Sequence, residues 1–176
     1  MADDEAVSLR DYDPDWPARF ESEAVLLGQA IGPWISGGVN HVGSTAVPGL
    51  VAKPVIDIMV GVADLESSRP CIDILGGLDY CYAPHRADVM HWFCKPSPAR
   101  RTHHLHLVTT GSQRFTDVLA FRDYLRAHPD AAREYGDLKR NLAAQHSHDR
   151  SAYTDGKSAM VAAITAQAQS WRDRDR

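Results

Sequence analysis

The sequence has 176 residues, a formal net charge of -4 and a hydrophobic share of 44%, which together are typical of one domain over residues 1–176 with a contiguous core. The charge favours a small or locally charged partner and argues against binding of long nucleic acid, because counterion release requires a basic face. The three cysteines lack metal-type spacing, the N-terminus is acidic and no apolar run approaches about 18 residues, which argues against a disulfide framework, a signal peptide and a membrane span. We therefore expect a cytoplasmic protein.

The first part of the chain predicts one helix between short strands. Residues 7–9 predict a strand, and Asp15 predicts the N-cap of a helix with Pro17 in its first turn. In chain order there follow a helix end at Gly32-Pro33, a loop over residues 36–38 and a strand over residues 39–42.

Residues 55–62 are so rich in β-branched side chains that they predict a central strand buried on both faces. Asp57 is the exception in this strand. A buried carboxylate costs several kcal/mol unless a cation or hydrogen-bond donors compensate it. Asp57 is therefore either half of a structural ion pair, with Lys53 as the partner, or the ligand of a divalent metal.

The rest of the chain predicts more strands and then helices only. Residues 104–108 alternate, which places His104 and His106 on one face of a strand and Leu105 and Leu107 on the other. The remaining predictions are a crossover helix over 64–75, strands over 79–83 and 90–94, a turn over 95–98, and helices over 115–128, 130–145 and 155–171. This order predicts an α/β (α+β) protein with helices packed on a mixed sheet and a helical C-terminal part.

Gly43-Ser44-Thr45 is the strongest local signal for a ligand site. A glycine lets the backbone approach a phosphate closely, and the adjacent hydroxyl and N–H groups donate to its oxygens. The alternative is an ordinary turn in which Ser44 or Thr45 caps a helix. Lys53, ten residues from Gly43, is the natural counter-charge for such a phosphate.

Several other side chains are candidates for the same site. His104 and His106 can bind a metal with Asp57, relay a proton, or donate hydrogen bonds at a polar sheet edge. His41 precedes Gly43 by two positions and can point into the same cleft. Basic helix residues that suit either an anionic ligand or plain solvation are Arg122, Arg126, Lys139 and Lys157.

The segments His41-Val-Gly-Ser-Thr-Ala-Val-Pro-Gly-Leu50 and Ala52-Lys-Pro-Val-Ile-Asp57 resemble the GrpB family. The resemblance continues through the opening residues 11–16, the His104-Leu-His106 strand, residues 121–125, Tyr135 with Leu138-Lys139, and Tyr153 with Lys157. It thus covers nearly the whole chain. It implies a nucleotidyltransferase-like fold and a relation to proteins that are fused to dephospho-CoA kinase.

In the nucleotidyltransferase superfamily, the Gly-Ser loop holds nucleotide phosphates and an Asp-x-Asp pair on the next strand holds two metals. This chain has Asp57 but carries Met59 at the second position. A thioether is a poor ligand for magnesium, which places the two-metal mechanism in doubt. The histidines that follow would shift the preference towards manganese or zinc, or mark a site that binds without catalysing.

The leading interpretation is a nucleotidyltransferase-like protein that binds a nucleotide or another phosphorylated small molecule. Asp57 and Lys53 are the catalytic candidates, and Asp57 would hold magnesium, manganese or zinc. The reaction would transfer a nucleotidyl group to a small acceptor. One alternative is an inactive module that binds nucleotides or coenzyme A precursors. Metal-dependent turnover would distinguish the enzyme from this module. Another is a metal-dependent hydrolase, which requires Asp57, His104 and His106 to converge.

Overall fold

A computed structural model describes residues 6–174 of the chain. Its five-stranded mixed sheet has the order β1-β2-β5-β4-β3, which confirms the predicted α+β class. The strands are β1 (Ile35–Val42), β2 (Ile56–Val62), β3 (Cys81–Ala83), β4 (Met90–Pro96) and β5 (Arg101–Thr109). The helices are α1 (Trp16–Ile31), α2 (Pro70–Gly76), α3 (Gln113–Ala127), α4 (Pro129–Gln145), α5 (Arg150–Gly156) and α6 (Ser158–Arg174).

Strand β2 lies inside the sheet, antiparallel to β1 and parallel to β5. It is buried on both faces apart from Asp57, as its run of β-branched residues predicts. The parallel pairing with β5 requires a long crossover, which runs through α2, β3 and β4. β5 occupies the middle of the sheet, with β2 beside it.

The two faces of the sheet carry different layers because side chains alternate along each strand. Ile58 and Leu105 belong to the core packed against α1 and α2. Met59 points to the opposite face, where it packs with Val108 and with residues of α3. Since Asp57 and Met59 are two residues apart on one strand, Asp57 lies on the face that the C-terminal helices cover.

Residues 36–38 are not a loop as predicted but belong to β1, whose pairing with β2 shifts between Ile35 and Val39. Such a shift marks a β-bulge or a comparable irregularity of the pairing. Glycines allow the strands to meet there: a methyl group on Gly61 would stand 2.5 Å from the Cα of Gly37 and 2.6 Å from the Oγ1 of Thr110. The sequence predicted a loop at Gly37, whereas the structure uses Gly37 for close backbone contact with Gly61.

Other local predictions were wrong at element boundaries. Residues 7–9 form no strand; instead, a single bridge joins Arg10 to Ala52. The crossover helix begins only at Pro70, whereas Asp15 is the N-cap of α1 as predicted, although its side chain makes no capping hydrogen bond. β4 continues through Lys95-Pro96 with an irregular register, and the helix predicted over 155–171 is two helices, α5 and α6.

The predicted helical cover is confirmed. Helix α3 packs on the sheet through Phe115, Val118 and Leu119, and the second cluster on this side joins Leu125, Tyr135 and Ile164. Within residues 6–174, no helix has the length and apolar character that crossing a membrane requires. The C-terminal helices are therefore the layer that encloses the Asp57 face of the sheet.

The contact between Gly61 and Gly37 predicts a large difference between two glycine substitutions. Gly61→Ala should lower the free energy of unfolding by about 1 to 3 kcal/mol, since the added methyl group meets backbone that cannot move aside. Gly28→Ala is the matched control, because Gly28 lies in α1 with no atom near its new Cβ and should gain about 0.5 to 1 kcal/mol. Urea denaturation measures both, and equal stability of the two variants would contradict the account.

Candidate functional site

The centre of the site is the pair Asp57 and His104, which the parallel register of β2 and β5 sets side by side. His104 Nδ1 lies 3.0 Å from Asp57 Oδ1. Burial raises the pKa of Asp57, but the hydrogen bond and charge of His104 outweigh that effect, with help from His106 and Lys157, and hold the pKa below its ordinary value. The carboxylate is therefore ionised, and with 31% of its side chain exposed it is accessible to a ligand.

The Gly43 loop passes directly over Asp57. Gly43 has a φ of 70°, a left-handed conformation that glycine adopts without strain. A Cβ there would stand 2.5 Å from Asp57 Oδ2, so only glycine allows the loop to approach the carboxylate this closely. The 3₁₀ turn Ser44–Ala46 follows at once and carries the hydroxyls of Ser44 and Thr45.

Lys139 of α4 completes the site from the helical side. It is 2% exposed, and its Nζ donates to Ser44 Oγ at 2.8 Å and to the carbonyl oxygen of Val51. The ammonium also lies 4.7 Å from the centre of the Tyr135 ring. Lys139 was interpreted from sequence as an ambiguous basic position, although its spacing from Tyr135 and Leu142 places it on the apolar stripe of the helix.

Two further lysines flank Tyr153, a fully buried residue of α5. The Nζ atoms of Lys53 and Lys157 lie 5.0 Å and 4.4 Å from the centre of its ring. Burial and the charge of Lys157 lower the pKa of Lys53 to about 8 and that of Lys139 to about 7. Burial likewise lowers the pKa of Lys157, against the attraction of Asp57.

These side chains surround one small cavity of about 80 Å³, called here the lysine cavity. The structure thus brings together most of the residues singled out from sequence, Lys139 among them, and adds Tyr153. Asp57 is the one acid among the residues described as lining it. The members with polar or charged side chains are Ser44, Thr45, Lys53, Asp57, His104, Lys139, Tyr153 and Lys157.

His41 and Arg122 lie elsewhere. His41 pairs with Ile58 across the strands and so lies on the α1 face, opposite to Asp57; there its ring stacks on Phe20 at 4.8 Å. Its Nε2 lies 2.9 Å from Thr45 Oγ1, while Arg122 donates to the His41 carbonyl oxygen at 3.0 Å. Both residues support the loop from behind, because the alternation of the strand points His41 away from the lysine cavity.

The donor set for a metal is incomplete. His106 shares the face of Asp57, but its Nδ1 lies 3.3 Å from Met90 Sδ, and burial lowers its pKa to about 4. Met59, where a second acid would stand, is 1% exposed in an apolar cluster. Across residues 6–174, no three His, Cys, Asp or Glu side chains converge as metal ligands, so Asp57, His104 and His106 do not form the predicted three-ligand centre.

Comparison with known proteins reveals extensive similarity. A family profile described as GrpB protein matches residues 6–167. A UPF0157 protein of Pseudomonas aeruginosa is 39% identical over 95% of this chain and 69% of its own length, and a dephospho-CoA kinase of Mycolicibacterium paratuberculosis is 29% identical over 95% of this chain and 47% of its own. The crystal structure of the conserved protein GrpB from Enterococcus faecalis superposes with a TM-score of 0.85 at 34% identity, covering 93% of this chain and 99% of that one.

The lowered pKa of Lys139 predicts a pH-dependent stability. The Lys139 side chain keeps its proton up to about pH 10.5 in the unfolded chain but only up to about pH 7 in the folded chain. The cost of burying the charged lysine therefore lowers the free energy of unfolding in full below pH 7, and this cost is relieved as the pH rises. Between about pH 7 and pH 10.5, the free energy of unfolding of the parent should rise relative to that of Lys139→Met. The expected rise is at least about 1.4 kcal/mol, the equivalent of one pKa unit. Urea unfolding at several pH values measures the difference, and a difference independent of pH would contradict a buried Lys139.

Proposed function

The chain belongs to the GrpB family, and we propose that it binds a nucleotide or another phosphorylated small molecule in the lysine cavity. The observation that carries this proposal is the approach of Lys53, Lys139 and Lys157 to one small space. Their positive charges exceed the single negative charge of Asp57. Because burial and mutual repulsion lower the pKa of these lysines, an anion in the cavity would relieve an unfavourable arrangement.

A phosphoryl group is the anion that best matches the donors. Its oxygens accept several hydrogen bonds at once, and lysine ammonium groups bind it as point charges. The hydroxyl of Ser44 accepts from Lys139, which holds it among the lysines that would bind the phosphoryl group. Gly43 keeps the backbone of the loop close to Asp57. The space for the phosphoryl group therefore lies between this loop and the lysines.

The role of a divalent cation follows from the donors present. Magnesium is commonly bound through one or two carboxylates together with substrate phosphates and water, and Asp57 alone supplies one such carboxylate. The residues do not fit the two-metal arrangement of the superfamily, since Met59 is buried among apolar side chains. We therefore propose binding as the function, and nucleotidyl transfer to a small acceptor remains what the family resemblance implies.

The observations favour the binding module over the hydrolase among the alternatives. The hydrolase requires Asp57, His104 and His106 to act on one metal, whereas His104 Nδ1 is bonded to Asp57 and His106 Nδ1 contacts Met90. One relative is named dephospho-CoA kinase, and this chain spans 47% of it. Phosphorylated coenzyme A precursors therefore belong beside nucleoside triphosphates in the set of ligands to test.

Replacement of Lys157 should separate ligand binding from stability. Lys157→Met removes one cation from the lysine cavity, and since hydrogen bonds to charged groups contribute about 1.5 to 3 kcal/mol, affinity for ATP or pyrophosphate should fall about 10-fold or more. Isothermal titration calorimetry measures the affinity of parent and variant.

Lys95→Met is the matched control for this experiment. Lys95 forms an ion pair with Glu23 at 2.7 Å and lies outside the lysine cavity. The control should lose stability, because it leaves Glu23 buried without its cation, yet it should bind the ligands as the parent does. Equal affinity of the parent and Lys157→Met would overturn the proposed function.

A further inference from the structure

We propose that the ligand carries a second anionic group, held in a cationic groove next to the lysine cavity. This inference rests on the proposed function and assigns the groove as a second subsite. The groove has a volume of about 370 Å³, which lies within the range of about 300 to 1,000 Å³ typical of small-molecule sites. Its cationic lining residues are Arg10, Arg19, Lys53, Arg100, Arg101 and Arg150.

The concentration of charge in the groove is unusual for this chain. The sequence has a net charge of -4 and 19 lysines and arginines in total, and six of them line this one groove. None of its lining residues within the described part of the chain is acidic. Among residues 6–174, two acids contact this lining from outside it: Asp57 Oδ1 lies 3.0 Å from His104 Nδ1, and Asp13 Oδ2 lies 3.7 Å from Arg19. The groove is therefore a local positive surface on an acidic protein, which attracts anionic ligands selectively.

The groove is assembled from distant parts of the sequence. Arg19 comes from α1, Arg101 from the start of β5 and Arg150 from the start of α5. Arg101 is held in place by its Nε–H, which donates to the carbonyl oxygen of Pro98 at 3.0 Å, and by stacking over Trp92 at 5.5 Å. Such a held guanidinium loses less freedom when it binds an anion.

The groove adjoins the lysine cavity through shared residues. Lys53, Val55 and His104 line both spaces, so a molecule with a phosphate beside Lys157 can extend past Lys53 into the groove. The ligand class that matches both subsites is a small molecule with two separated phosphate groups. A monophosphate would occupy the lysine cavity alone and would not reach the arginines of the groove.

The test compares ligands that differ only in the second phosphate. Calorimetry would measure adenosine 3′,5′-bisphosphate against AMP, and fructose 1,6-bisphosphate against fructose 6-phosphate. In at least one pair, the parent should bind the bisphosphate about tenfold or more tightly, the scale expected of one charge-assisted contact. Arg19→Gln combined with Arg100→Gln should remove this preference and leave monophosphate affinity unchanged, because both arginines are exposed and neither lines the lysine cavity.

A matched double variant controls for net charge. Arg69→Gln with Arg133→Gln removes two exposed arginines that do not line the groove, and it should keep the preference for the bisphosphate. Loss of the preference in this control would overturn the groove assignment, as would binding of monophosphates with no gain from a second phosphate. Failure of every ligand to bind would overturn the proposed function as well, so the two failures are distinguishable.

Discussion

The site depends on the buried ammonium group of Lys139. Its hydrogen bonds reach Ser44 in the loop and the carbonyl oxygen of Val51 in the following segment, so one side chain joins α4 to both. A charge in this position is costly unless every donor has a partner. The helical layer and the loop must therefore keep one relative position, and that position encloses the lysine cavity.

The loop is also fixed from its opposite side. Arg122 and Arg126 of α3 donate to the carbonyl oxygens of His41 and Ala46, and His41 is hydrogen-bonded to Thr45. The bond from Arg126 satisfies a carbonyl that the short 3₁₀ turn leaves unpaired, and the bond from Arg122 satisfies a carbonyl of strand β1. His41 and Arg122, which the sequence predicted to bind the ligand, therefore lie behind the loop and fix its conformation. The preorganised loop leaves less freedom to lose when a ligand binds.

The sequence predicts those parts of the molecule that depend on local periodicity. The buried strand around Asp57 and the shared face of His104 and His106 follow from alternation along a strand. Lys139 stayed ambiguous between ligand binding and solvation, because a lysine in a helix is usually solvated and only its spacing from Tyr135 indicates burial. The cationic groove could not be predicted, because residues from Arg10 to Arg150 meet there through tertiary packing.

The most direct test of the account is the pKa of Lys139 with and without a phosphorylated ligand. The chain has four lysines, Lys53, Lys95, Lys139 and Lys157, so carbon-13 labelling of lysine gives few NMR signals, and each can be assigned by substitution. The account predicts that the pKa of Lys139 starts near 7 and rises by at least about one unit when pyrophosphate is added, because an anion favours the charged form. An ordinary pKa near 10.5 that pyrophosphate does not change would contradict it.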